Sequence, residues 1–368
     1  MQSPGYKILL LGKIPPPYFG PSVWFETLRN SILIKNSFTT EWFNVNIHSE
    51  MNTIGKKKVR NIFPNILLYI NYRNLVKSFS PDLILIPISQ TTIGVLKDSV
   101  YIWLAGRRSK VAVVLHGSNL HSWFVNAGPV CRLLFSRTMK RISGAVVLGE
   151  NLKYIFRQWL PEKMIFSVPN GLNINYKSGI RKENTRFVIR YIGNLIRAKG
   201  IFEIIQAVNL LKNEGFSTVL KINGNWLDAE LKEECEKLIA QSSLNVEYEG
   251  PVYGESKMEA LIESDVFVFT PNKPEGHPLV IVEALASGLP VISTNMGAIT
   301  ESVIDGINGF IVDTGSPVQI SEKIKLLIAD PEKRIRMGAA SRKLYVEKFT
   351  ADNMASGYCK VFNQLLKR

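Results

Sequence analysis

Histidine and cysteine are scarce in this sequence. Its 368 residues hold four histidines and three cysteines. Cys131, Cys235 and Cys359 stand far apart, which excludes a disulfide framework and a cysteine metal cluster. His48, His116, His121 and His277 do not fall at zinc-ligand spacing. No Asp-x-Asp occurs, so no paired carboxylate offers itself to a metal–diphosphate complex. No Gly-x-Ser-x-Gly occurs, which removes support for a hydrolase built on that elbow. Nothing reaches the roughly 18 uninterrupted apolar residues of a membrane span. The opening MQSPGYKILLLGKIPPPYFG has too short an apolar run for a leader and no small-residue cleavage site. Together these absences point to a reducing, cytoplasmic setting and to chemistry without a resident metal or cofactor.

Acidic residues are also short, but only in one half. Residues 1–185 hold 24 Lys and Arg against 8 Asp and Glu, and residues 186–368 hold 21 against 23. The whole excess behind the net charge of +14 therefore lies in the first half. Such a half suits an anionic partner: a membrane surface, a nucleic acid or an acidic substrate. The run Lys56 to Arg60 alone would be only a solvated loop.

What is present is an α/β rhythm. Short apolar runs at Lys7–Gly12, Leu83–Pro87, Val111–Leu115 and Gly144–Leu148 predict buried parallel strands. Helical stretches at Val23–Ser31, Ile66–Phe79, Val130–Arg141 and Asn151–Leu160 lie between them. A second series has strands at Phe187–Ile192, Thr218–Asn223, Val246–Tyr248, Val266–Thr270, Val291–Thr294 and Gly309–Val312. Its helices include Ile201–Asn213, Ala229–Gln241, Lys257–Glu263 and Pro278–Ser287, and Pro331–Arg368 reads as helical with a break near Phe349. The reading is two doubly wound Rossmann-like domains, residues 1–176 and 187–349, joined by a polar linker at 177–186. The last helix, about 350–368, is expected to cross back to the first domain. Sheets of this kind bind ligands beyond the carboxyl ends of their strands, so a ligand is expected in the cleft between the two domains.

Four constellations stand at such strand ends. In PEGHPLVIVEALASGLP, residues 274–290, Glu283 sits in an otherwise apolar helix, where a carboxylate is costly unless something binds it. It suits a neutral diol such as a ribose; the alternative is a buried ion pair with a Lys or Arg. Glu275, in the preceding loop, can accept bonds from sugar hydroxyls. Pro278 fits the first helical turn and Gly288 the end, leaving backbone N–H groups near His277 and Leu279 for a phosphate. In RYIGNLIRAKGI, residues 190–201, Arg197 and Lys199 follow a strand and would offset a diphosphate, the alternative being a solvated basic loop. In VAVVLHGSN, His116 follows a strand and could donate a bond or take a proton, or could be a core histidine bonded to backbone. GKIPPPYFGPS, residues 12–22, could approach a phosphate but lacks the spacing of a known phosphate loop.

With these residues in view, EGHPLVIVEALASGLPVIST resembles the signature of family-4 retaining glycosyltransferases of GT-B fold. IGNLIRAKG, VPNG at 168–171, SDVFVFTP at 264–271, EGPV at 249–252 and ESVIDGINGFIV at 301–312 are similar to that family too. The resemblance is strong over about 187–315 and weaker over the first half. It implies transfer of a hexosyl unit from a nucleotide-sugar donor to a glycan or lipid-linked acceptor, with retention and without a metal. It implies that Glu283 binds the ribose and Glu275 the donor sugar. The backbone of Gly276, His277, Pro278 and Leu279 would touch sugar and diphosphate, and Lys199 would neutralise the diphosphate. His116 would lie near the anomeric carbon, and Gly20 in a loop near the phosphate. Asn194 stands where the family often has arginine, with Arg197 as a neighbouring substitute, and Pro21 replaces a second glycine. Bacterial relatives of this kind often work on surface polysaccharide or lipopolysaccharide at the inner leaflet, which would give the basic half an anionic membrane as partner. The other readings are a GT-B sugar-nucleotide epimerase or phosphorylase and, more remotely, a nucleic-acid-binding protein. No basic stripe with aromatic platforms supports the last.

Overall fold

A computed structural model of the chain describes residues 5–16, 18–46, 62–174 and 186–367. The run Lys56 to Arg60 lies outside the described residues, as does the expected linker apart from Arg186. The chain divides into two units, residues 1–173 with 351–368, and residues 174–350.

Unit 1 begins β1 (Lys7–Gly12), α1 (Gly20–Asn30), α2 (Ile32–Ser37), β2 (Thr39–Asn44), α3 (Ile62–Phe79) and β3 (Leu83–Ile88). It continues α4 (Thr92–Leu104), β4 (Lys110–Leu115), α5 (Leu120–Asn126), α6 (Pro129–Met139), β5 (Gly144–Val147) and β6 (Ile165–Ser167). All its strand pairs are parallel, in the order β2-β1-β3-β4-β5-β6. The order reverses between β1 and β3. Right-handed crossovers then put α1 and α2 on one face and α3, α4 and α6 on the other.

Unit 2 runs β7 (Phe187–Ile192), α7 (Ile201–Asn213), β8 (Thr218–Asn223), α8 (Ala229–Gln241), β9 (Val246–Tyr248) and α9 (Gly254–Ile262). Then come β10 (Val266–Phe269), α10 (Leu279–Ala286), β11 (Val291–Thr294), α11 (Ile299–Ser302), β12 (Gly309–Val312), α12 (Pro317–Ala329) and α13 (Pro331–Lys348). Its parallel sheet has the order β12-β11-β10-β7-β8-β9, reversing between β10 and β7. That is the Rossmann arrangement, with its ligand crevice at the carboxyl ends of those two strands.

The final helix, α14 (Ala351–Leu366), belongs to unit 1. Met354, Ala355, Tyr358, Val361, Phe362 and Leu365 recur at helical spacing and are all buried. This stripe joins the core formed by β1, β3, α1 and α2, where Trp24 Nε1 donates to Tyr358 Oη at 3.1 Å.

Several elements differ from the expectations. β2 is an edge strand, TTEWFN, whose polar and half-exposed residues hide its period. α4, TIGVLKDSVYIWL, is apolar on most sides, which blurs the helical period. The helix expected at Asn151–Leu160 is a 3-10 segment, Glu150–Phe156, passing into turns. Its side chains are apolar enough to be buried, but it has no capping side chain and packs against the short β5 and β6.

Candidate functional site

The site residues of unit 2 gather where its sheet order reverses. Beyond β7 the chain forms a 3-10 turn, Arg197–Lys199, and enters α7 through Gly200 at φ 79°. A Cβ at Gly200 would lie 2.1 Å from the Thr270 carbonyl oxygen, so only glycine lets this loop close onto the end of β10. From the β10 side, Asn272 N–H donates to the Ala198 carbonyl at 3.1 Å and its side-chain amide to the Arg197 carbonyl at 3.3 Å. The two loops are thereby stitched together. Across them Lys199 Nζ donates to Glu275 Oε1, and the same ammonium lies 5.5 Å from the Phe269 ring centroid.

α10 follows. Pro278 is its N-cap at φ −65° and ψ 122°, not its first helical residue, and no side chain caps the turn. The free N–H groups of this turn face no capping oxygen, as an anion site requires. The other end closes as a Schellman motif: Gly288, at φ 67°, donates to the Leu285 carbonyl and Leu289 to the Ala284 carbonyl.

Glu283, on α10, has the cationic partner that the alternative reading anticipated. Lys257 of α9 donates to its Oε1 at 2.8 Å. Its Oε2 is buried and has no partner. Burial pushes the Glu283 carboxyl up from the usual range, and the Lys257 charge and hydrogen bond pull it partly back. The ion-pair alternative for Glu283 is therefore what the structure shows, through one oxygen, while the second oxygen is buried without a partner. Removing the cation leaves only the burial effect. Lys257→Met is therefore expected to raise the Glu283 carboxyl further. A spectroscopic titration of the Glu283 carboxyl in the wild type and the variant checks this; an unmoved midpoint would count against it. Sequence reasoning did not find Lys257, whose one signal was that a buried carboxylate needs a cation.

The remaining residues fall in different places. His277 is buried and neutral, its pKa lowered to about 4 by burial. Its Nε2 bonds Ser302 Oγ and its ring packs on Phe349, so the side chain braces α11 and the turn after α13. The Gly276 carbonyl accepts the Ala298 N–H at 2.8 Å. Asn194 accepts the Tyr191 hydroxyl at 3.0 Å through its carbonyl oxygen. Arg197 is not brought to the Lys199–Glu275 pair. Its guanidinium bonds Glu234 of α8 at 2.5 Å and lies over Phe202.

Two expected residues lie in unit 1. Gly20 opens α1, and a Cβ there would meet nothing within 4 Å. His116 directly follows β4. Burial holds it neutral, with a pKa near about 3, and its Nε2 is buried with no partner. It makes an edge contact with Trp24, 4.5 Å between centroids, and not the backbone bond of a core histidine. Among the described residues, no group of three or more His, Cys, Asp or Glu gathers as a metal site.

Residues 174–344 match the family model described as glycosyl transferases group 1. The capsular polysaccharide biosynthesis glycosyltransferase CapM of Staphylococcus aureus is 32% identical over 188 residues, which cover 50% of this chain and 48% of that protein. The chain thus spans about half the length of that relative. A lipopolysaccharide 1,2-N-acetylglucosaminetransferase of Salmonella typhimurium is 22% identical and matches along 88% of this chain and 86% of its own. The crystal structure of Anabaena HepE in complex with UDP and glucose superposes with a TM-score of 0.72 at 17% identity, covering 97% of this chain and 99% of that one; this is a likeness of fold. With the two Rossmann-like units, these matches make residues 174–344 similar to the group 1 glycosyl transferases, in a chain of GT-B fold that resembles the family-4 glycosyltransferases.

Proposed function

We propose that the protein is a retaining glycosyltransferase that moves a hexosyl unit from a nucleotide-sugar to a glycan or lipid-linked acceptor of a bacterial surface polysaccharide. The observation that carries this reading is Glu283. A buried carboxylate with one oxygen paired to Lys257 and the other unpartnered calls for a hydrogen-bond donor, and a ribose diol is a donor that fits this position in the present reading. A turn of α10 separates it from Glu275 and Lys199, which take the sugar and the diphosphate. In this reading Lys199 and the start of α10 offset the leaving charge, and no divalent metal takes part. The neutral imidazole of His116 serves as a hydrogen-bonding group near the transferred sugar. The similarity to the capsular and lipopolysaccharide enzymes supports the acceptor class. The basic first half supports a peripheral position on the inner face of the cytoplasmic membrane.

A thermal-shift screen over UDP, GDP, ADP and their sugar conjugates tests the reading. One nucleotide series is expected to stabilise the protein, by about 2.7 kcal/mol at a hundredfold excess over Kd, and Glu283→Ala should lose most of that shift. The absence of any nucleotide effect on the wild-type protein would overturn the reading. Product analysis with donor alone separates a transferase from an epimerase, which reacts without acceptor.

A further inference from the structure

The helices α3, α4 and α6 share one face of the unit 1 sheet, with α4 in the middle. Tyr69 of α3 donates to the Lys97 carbonyl of α4 at 3.3 Å, and Trp103 of α4 donates to Thr138 of α6 at 3.0 Å. Their outer surface is unusually apolar. On α4, Ile93, Leu96, Val100 and Trp103 are exposed at spacings of three, four and three, which is one helical stripe. Val130, Leu133 and Leu134 are exposed on α6, and Ile66, Leu67 and Ile70 on α3. Contiguous apolar surface of this kind marks an interaction site.

Charge identifies the partner. Residues 62–141 hold ten Lys and Arg against two acids, Asp82 and Asp98. Asp98 is buried, accepts the Ser89 N–H and offsets Lys97, at 3.7 Å, and Asp82 accepts the backbone N–H of Lys7, so the arginines of α6 and Arg141 keep their charge. Arg132 and Arg137 flank the apolar stripe of α6, and Arg141 lies 4.3 Å over the half-exposed Trp103 ring. A second copy of the chain would set this cationic face against itself, an unfavourable pairing. Nucleic acid would leave the aliphatic side chains without use. A leaflet of anionic lipid satisfies both components, with headgroups for the arginines and the acyl boundary for Leu, Ile, Val and Trp.

We propose that the outer face of α3, α4 and α6 docks on an anionic lipid bilayer. The proposal rests on the membrane position stated above and names the surface that achieves it. The face lies on unit 1 helices and includes none of the residues assigned to the donor.

The test is flotation of the full chain with vesicles of phosphatidylcholine alone and of phosphatidylcholine with phosphatidylglycerol. The wild-type protein should float with the anionic vesicles only, and less at high salt. Leu96→Glu with Leu133→Glu, at exposed positions, should reduce binding by at least about tenfold at an unchanged melting temperature. Arg132→Gln and Arg137→Gln should each reduce it about fivefold at low salt. Ile335→Glu with Val346→Glu, on exposed positions of α13 in unit 2, should change nothing. No flotation of the wild type, or equal flotation of the Leu96/Leu133 variant, would overturn the proposal. So would a concentration-dependent dimer that this variant abolishes, since the face would then belong to a second copy. The nucleotide thermal shift, measured on the same samples, reads the transferase assignment separately and should be the same in all these variants.

Discussion

Lys199→Ala is expected to lower kcat by about 10²–10³-fold, the usual effect of removing one preorganised group from a developing charge. Lys199 sits on the turn that Gly200 and Asn272 lock against β10, so its position is set before any ligand arrives. Its ammonium is paired with Glu275. Both side chains are partly open to solvent, 25% and 16% exposed, so the pair itself contributes only about 1 kcal/mol to stability. A large loss of turnover with a melting temperature near that of wild type would therefore report chemistry and not folding. Glu275→Ala should abolish transfer for a different reason. In the proposed function it leaves Lys199 free for the diphosphate but removes the acceptor of sugar hydroxyl bonds. Because the two residues touch, the double variant should lose less than the product of the single effects. Steady-state kinetics on the three variants, with melts beside them, settle the matter. A Lys199→Ala enzyme within tenfold of wild type would sink the role of Lys199, and near-normal turnover of Glu275→Ala would sink the role of Glu275.

The second large effect is expected at a residue that contacts no ligand in this reading. Gly297→Ala should destabilise unit 2 by about 3 kcal/mol, or roughly 6–12 °C in melting temperature for a unit of this size. Gly297 has φ 58°, and a Cβ there would lie 2.1 Å from the Glu275 carbonyl oxygen and 2.6 Å from that of Gly276. The left-handed backbone alone costs a side chain about 1–2 kcal/mol, and the clash adds to it. Relief requires moving the backbone that carries Glu275, so nucleotide-sugar affinity should fall together with stability. Gly306→Ala is the internal control. Its φ of 73° is equally left-handed, but nothing lies within 4 Å of the added carbon. It should cost only the backbone strain and leave ligand affinity alone. Equal effects at the two positions, read by thermal melts and nucleotide titration, would show that the close approach at Gly297 does not matter.

Much of unit 2 was legible in the sequence because most of its strands are short, largely buried and mainly apolar. Phe187–Ile192, Thr218–Asn223, Val291–Thr294 and Gly309–Val312 needed no alternation to be seen. In unit 1 the same reasoning passed over β2, an edge strand that is polar because one side meets water, and β6, which has only three residues. It also passed over α12, Pro317–Ala329, despite its Ser316 cap and proline start. The site was legible where a residue type was out of place. Glu283 in an apolar helix signalled a bound partner, but not that Lys257 would hold one oxygen and leave the other open.

Sequence by itself determined the α/β rhythm, the charge asymmetry and the paired glutamates, because burial, charge and residue type are local properties. Pairings between residues distant along the chain came only with the tertiary structure. Arg197 and Lys199 are two positions apart and equally cationic on paper. The 3-10 turn sends one to Glu234 on α8 and the other to Glu275 at the sheet reversal. His116 read as a side-chain group at the end of a buried strand, and His277 as part of the backbone at a helix start. Folding engages the His277 ring with Ser302 and leaves His116 Nε2 buried without a partner. Hydrogen bonds and ion pairs act over a few ångströms in space, and which groups come within that reach is decided by strand order and loop closure.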